Sequence, residues 1–193
     1  MKVKKSKAKI VEVQDSEEAI QSLLSLFSNS GHIVIRPFNG GMAFDKNKTK
    51  VEAKDFDGVS LGMVIHEMAH FVEIEDDRLG LKDFGLPWES RRKHHTDAAV
   101  RRELRVLALQ KNACKALGVE FDMAYEAENL QNVPGWEIHI AGYESRRWDI
   151  YKRTILAPKI RRLAQQERHQ FDYFVAEWHR RIALIEAEPE RIR

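Results

Sequence analysis

The sequence contains a single cysteine, Cys114, and no long run of apolar residues. One cysteine excludes an internal disulfide and a cysteine-rich metal site, so any metal would have to be bound by histidine and carboxylate side chains. No apolar stretch reaches the roughly 20 residues that cross a bilayer. The basic segment at residues 1–10 is not followed by the apolar stretch typical of a secretory signal. We therefore expect a cytoplasmic protein with no membrane partner.

The net charge is also small, because the basic and acidic side chains of the 193 residues nearly cancel and leave a formal value of +2. Such a small excess does not identify a nucleic-acid partner. One local cluster is basic and consists of Arg91, Arg92, Lys93, Arg101, Arg102 and Arg105. It leaves nucleic acid possible but not favoured, since acidic residues are interspersed elsewhere.

Hydrophobic periodicity and turn residues predict an α+β fold. A helix should begin at about Asp15–Glu18, another should span Leu61–Ile74, and a third should span Thr96–Leu117 and end at Gly118. Three short strands are expected at residues 32–36, 42–45 and 49–53, the last two forming a hairpin. The expected architecture is thus a small, mainly antiparallel sheet packed on the helix at residues 61–74, with additional C-terminal helices.

Three regions are expected along the chain. Residues 1–9 form a flexible basic arm, residues 10–125 form the domain that contains the sheet and the central helix, and residues 126–193 form a helical region packed on it. Apolar residues recur at helical spacing between Trp148 and Ile185, with Pro158 separating two helices. These residues are expected to pack in the core, although they could also bind a protein partner.

The chemically most informative segment is His66-Glu67-Met68-Ala69-His70. Two histidines four residues apart on a helix lie on the same face, so that both imidazoles can reach one metal ion. Catalytic zinc sites use three protein ligands and leave one position open for water. Glu67 follows the first histidine directly and could accept a proton from water activated by the metal. The motif therefore predicts one bound Zn²⁺ with His66 and His70 as ligands and Glu67 as general base.

The stretch from about Gly41 to Gly118 resembles the minimal zincin metallopeptidases, and most closely the gluzincin-type ImmA/IrrE group. The resemblance depends on a short strand pair followed by Val64-Ile65-His66-Glu67-Met68-Ala69-His70. It implies a peptidase in which an extended substrate lies along a sheet edge. It covers about 80 residues and leaves both ends of the chain unexplained.

The resemblance also implies that the third zinc ligand is a glutamate on a following helix, and Glu103 fits this position. Asp76 would be the ligand in the metzincin arrangement, but that arrangement needs a glycine where this chain has Glu73. His94, His95 and Asp97 are further alternatives. We adopt Glu103 as the predicted ligand.

Two functions of different classes follow. The first is a zinc-dependent hydrolase, most simply a metallopeptidase that cleaves a specific intracellular protein or peptide. The alternative is a zincin-like binding module that recognises a protein or nucleic-acid partner without turnover.

Overall fold

The computed structural model describes residues 17–27, 33–35, 42–44, 50–76, 79, 96–121 and 156–188. This part of the chain is mostly helical. Its helices are α1 (Glu17–Phe27), α2 (Leu61–Glu73), α3 (Thr96–Leu117), α4 (Ala157–Leu163) and α5 (Phe171–Ala187), with short 3-10 helices at Ala53–Phe56 and Glu167–His169. Two strands, β1 (Ile33–Ile35) and β2 (Met42–Phe44), pair antiparallel with Val34 opposite Ala43.

The expected α+β class is therefore wrong. The described residues contain one ladder of three residues per strand, which is too small to form a layer of the fold. The core consists instead of helices packed on helices, with α2 in contact with both α3 and α5. In the sequence, the helical periodicity of residues 96–117 and of the C-terminal region indicated the fold class better than the short strand patterns did.

The strand expected at residues 49–53 is also wrong. Residues 50–52 are irregular, and a 3-10 helix begins at Ala53. The backbone N–H of Glu52 donates to a carboxylate oxygen of Asp55 at 2.8 Å, and the N–H of Asp55 donates to the carbonyl of Glu52 at 2.9 Å. These local hydrogen bonds favour a turn over an extended ladder, while Val51 still reaches the core.

Helix α2 is the central element of the fold. Most of its residues are buried, including Leu61, Ile65 and Phe71, which have almost no exposed surface. A helix that is apolar nearly all round is stable only when other elements cover it on several sides. Polar side chains on such a helix therefore lie inside the protein.

Helix α3 covers one side of α2 and ends where the sequence predicts. Gly118 adopts a left-handed conformation with φ of 70°, and the N–H of Val119 donates to the carbonyl of Cys114 at 2.9 Å. This is the Schellman arrangement, in which glycine is preferred because it has no Cβ. Cys114 and Val119 are both buried in the same hydrophobic cluster.

Helix α5 covers another side of α2 through a fully buried tryptophan. The Trp178 ring packs edge-to-face on Phe71 at 5.1 Å and on Phe27 at 5.2 Å between ring centroids. Its indole N–H donates to the carbonyl of Leu26 at 2.9 Å. One side chain of α5 thereby joins α1 and α2, and residues of all three helices belong to one hydrophobic cluster.

Polar side chains complete the attachment of the C-terminal helices. Arg181 donates to the carbonyl of Ile74, the residue that ends α2. Asn112 of α3 donates to the carbonyls of Ala164 at 2.8 Å and His169 at 2.7 Å. The bounds expected for the two larger regions remain predictions, and the arm at residues 1–9 lies outside the described residues. Among the helices described, none combines the length and the apolar character needed to span a membrane.

Candidate metal centre

His66 and His70 project from α2 toward a common point. Their Nε2 atoms are 3.0 Å apart, and the ring centroids are 4.6 Å apart with the planes nearly perpendicular. Both side chains are buried. The i, i+4 spacing on a helix explains why the rings meet.

Glu103 of α3 faces the same point. One carboxylate oxygen lies 3.3 Å from His66 Nε2, and the other lies 3.4 Å from His70 Nε2. The glutamate is 7% exposed, so it is not a solvated surface acid. The packing of α3 on α2 therefore brings together the three residues that the sequence predicts as ligands. They form the one His/Cys/Asp/Glu group suited to hold a metal among the residues described.

The spacing of these atoms fits a zinc ion. Zinc binds nitrogen and oxygen ligands at about 2.0–2.1 Å in a tetrahedral arrangement, which places neighbouring ligand atoms about 3.3–3.4 Å apart. The two Nε2 atoms here are 3.0 Å apart, and each lies 3.3 or 3.4 Å from a different oxygen of the Glu103 carboxylate, so the separations are of the size that one shared ion requires. Two imidazoles and one carboxylate are also a ligand set found at catalytic zinc sites.

The surroundings keep His70 in the neutral form that a metal requires. Burial lowers the pKa of His70 well below its ordinary value, and the neighbouring His66 ring and the Arg102 guanidinium act in the same direction. A neutral imidazole has a lone pair available for a metal, whereas a protonated one does not.

Gln110 is a residue of this centre that the sequence analysis missed. It is fully buried on α3, seven residues after Glu103 and hence two turns along the same face. Its side chain lies 3.0 Å from His66 Nδ1 and 3.0 Å from the carbonyl oxygen of Gly62. A glutamine directly after the apolar residues 106–109, one heptad after a predicted ligand, was the available signal.

Glu73 lies one turn beyond His70 and connects α2 to its neighbours. Its carboxylate accepts a hydrogen bond from Arg105 Nε at 2.6 Å and lies 3.9 Å from the buried His169 ring. Burial lowers the pKa of His169, and the charge of Glu73 opposes this shift. These contacts hold α2, α3 and the turn before α5 together beside the centre.

Among the alternative third ligands, Asp76 is the one whose side chain the structure describes, and it is engaged elsewhere. Asp76 forms a two-pronged ion pair with Arg180, at 2.8 and 3.1 Å. The side chain of Asp97 lies outside the described residues, as do His94 and His95 entirely.

Glu67 occupies the position expected of a general base in the helix. It follows His66 and is only partly buried, in contrast to both histidines. At about 100° per residue, its Cα lies about 60° around the helix axis from that of His70. Glu67 is therefore at the border of the face that carries the ligands.

Part of the basic cluster is neutralised by acids of α2 and the residues that follow it. Arg102 donates to Glu75 at 3.0 Å, and Arg105 pairs with Glu73 as described above. The residues at positions 91–93 lie outside the described part of the chain. These ion pairs connect α3 to α2 and the residues after it, and so account for Arg102 and Arg105 without a nucleic-acid partner.

No protein-family model matches the chain, and no curated protein and no solved structure is significantly similar to it. The resemblance to the zincins therefore depends on the His-Glu-x-x-His segment and its surroundings, and membership of that group stays a prediction.

Proposed function

We propose that this protein is a zinc-dependent hydrolase, and most simply a metallopeptidase that cleaves a specific protein. The observation that supports the proposal is the convergence of His66, His70 and Glu103 from two packed helices on one buried point. Two imidazoles and a carboxylate that face one another inside the protein offer nitrogen and oxygen donors, with one negative charge, to the same point. A single divalent cation would satisfy all three side chains.

In this proposal His66, His70 and Glu103 would be the protein ligands of the ion. When bound, zinc supplies Lewis-acid chemistry, lowering the pKa of water to about 7 and polarising a carbonyl oxygen. The single carboxylate offsets part of the ion's charge and leaves the centre cationic, which preserves its Lewis acidity.

Glu67 has the role of general base. Its carboxylate takes a proton from the attacking water and then delivers that proton to the leaving amine. Glu67 is partly buried and lies beside the ligand face. Removing its charge should therefore reduce turnover without removing the metal.

Peptide hydrolysis is favoured over other hydrolyses by the resemblance of the helix segment from Val64 to His70 to the minimal zincins. The strand expected at residues 49–53, which was part of that resemblance, is not formed and adds no support. A binding module with the same metal centre would have no need of Glu67. The two functions therefore differ in the behaviour of one variant.

The test uses purified wild-type protein and Glu67→Gln, with Glu120→Gln as a matched control because Glu120 is exposed just beyond α3. Zinc content is measured by elemental mass spectrometry, and cleavage is measured on a proteome-derived peptide library by the new termini formed. We expect one zinc per chain in all three proteins, with cleavage lost only in Glu67→Gln. Zinc binding with no cleavage by the wild type would favour the binding module, and absence of zinc from the wild type would refute the site.

A further inference from the structure

We infer that Gln110 is a positioning residue that sets the tautomer of His66, so that Nε2 of this histidine is the metal-binding atom. The inference builds on the proposed zinc site but not on the peptidase reaction. It concerns a side chain that does not itself reach the metal and acts only through His66.

The orientation of the Gln110 amide follows from its partner on α2. The side-chain nitrogen of Gln110 lies 3.0 Å from the carbonyl oxygen of Gly62. A backbone carbonyl can only accept a hydrogen bond, so the NH₂ end of the amide must face Gly62. The amide is fully buried, and flipping it would place two acceptors in contact without water between them.

The amide oxygen therefore faces His66, 3.0 Å from Nδ1. This oxygen can only accept, and so Nδ1 of His66 must carry the hydrogen. A neutral imidazole with hydrogen on Nδ1 has its lone pair on Nε2, the atom that points at His70 and Glu103. A carbonyl on α2 thus fixes, through Gln110 of α3, which nitrogen of His66 is available to a cation.

The same reasoning makes the two histidines unequal. No hydrogen-bond partner of His70 Nδ1 is present among the residues that the structure describes. His66 is therefore held in its ligand tautomer before any metal binds. His70 has no described partner at Nδ1 to hold it in the same tautomer, and its Nε2, 3.0 Å from the lone pair on His66 Nε2, is the donor in the contact between the two rings. Because Gln110 is neutral, it orients His66 without adding negative charge to the centre, as a carboxylate in its place would.

The contribution of Gln110 can be separated from packing with two variants and a control. Gln110→Met keeps the approximate volume but removes both hydrogen bonds, whereas Gln110→Glu keeps the acceptor that faces His66. Asn112→Leu is the control, because it too removes two hydrogen bonds made by an α3 side chain, both of them to carbonyls away from the metal centre. A general loss of stability should appear in both Gln110→Met and Asn112→Leu, whereas a loss of zinc affinity should appear only in Gln110→Met.

Two measurements are made on each protein. Long-range ¹H–¹⁵N spectra of the zinc-free protein report which ring nitrogen of His66 carries hydrogen, and competition with a chromophoric chelator gives the zinc affinity. We expect hydrogen on Nδ1 of His66 in the wild type, Gln110→Glu and Asn112→Leu, and a mixture of tautomers in Gln110→Met. Zinc affinity should fall about ten- to hundred-fold in Gln110→Met and stay near the wild-type value in Asn112→Leu.

Hydrogen on Nε2 of His66 in the zinc-free wild type would overturn the inference, as would unchanged zinc affinity in Gln110→Met. A wild type that binds no zinc would instead refute the proposed function, whatever tautomer the spectra show. The failure of one proposal is therefore distinguishable from the failure of the other.

Discussion

Replacing Glu103 by glutamine should remove most of the stabilisation that zinc gives to the fold. The substitution keeps the shape of a buried side chain but removes the charge that faces both imidazoles. At a free zinc concentration about 100 times its Kd, the wild type should gain about 2.7 kcal/mol of unfolding free energy. A variant that binds about 100-fold more weakly would gain only about 0.4 kcal/mol at the same concentration.

The difference of about 2.3 kcal/mol corresponds to roughly 5–9 °C in Tm for a chain of this length. Thermal unfolding followed by circular dichroism, with zinc and with an excess of EDTA, measures it directly. Glu120→Gln is the control and should show the full shift. An equal zinc-dependent shift in Glu103→Gln and the wild type would show that Glu103 is not a ligand.

Three further results are expected. In a urea titration, Arg181→Met should lower the unfolding free energy by about 1–3 kcal/mol, because it removes the hydrogen bond that Arg181 donates to the Ile74 carbonyl. Arg180→Met breaks exposed ion pairs and should cost at most about 1 kcal/mol in the same measurement. Hydrogen bonds from Arg180, and then from Arg181, lower the pKa of Glu177 against the effect of burial. The resulting stabilisation is present above the pKa of the unfolded chain and is lost as the pH falls through the folded value, so Glu177→Gln should be destabilising at about pH 7 and converge with the wild type in acid. Gly118→Ala should cost roughly 1 kcal/mol, measured by thermal unfolding, because alanine is strained at φ of 70°.

The helices were the part of the fold that local sequence signals could predict. The acids Glu17 and Glu18 stand in the first turn of α1, and α3 spans Thr96–Leu117 as expected because Gly118 provides a left-handed end. These signals act within a few residues of one another. They need no knowledge of the tertiary structure.

The sheet could not be predicted in the same way. Residues 49–53 show an alternation that is typical of a strand, but the hydrogen bond between Glu52 and Asp55 competes with strand pairing and favours a turn. In segments this short, the tertiary context decides between the two outcomes.

In the candidate site, too, the residues set by local spacing could be predicted and those set by tertiary packing could not. His66, Glu67 and His70 are set by spacing within one helix and were visible in the sequence. Glu103 needed the family resemblance, because the packing of α3 on α2 brings it to the histidines. Gln110 was missed because its role depends on a carbonyl of α2, 48 residues away in the chain.

The central claim is tested most directly by the position of zinc itself. Crystals of the protein grown with one equivalent of Zn²⁺ and measured on both sides of the zinc absorption edge would locate the ion by its anomalous signal. We expect one strong peak bounded by His66 Nε2, His70 Nε2 and the Glu103 carboxylate. No peak there, or a peak elsewhere with these three side chains in mutual contact, would contradict the proposed metal centre.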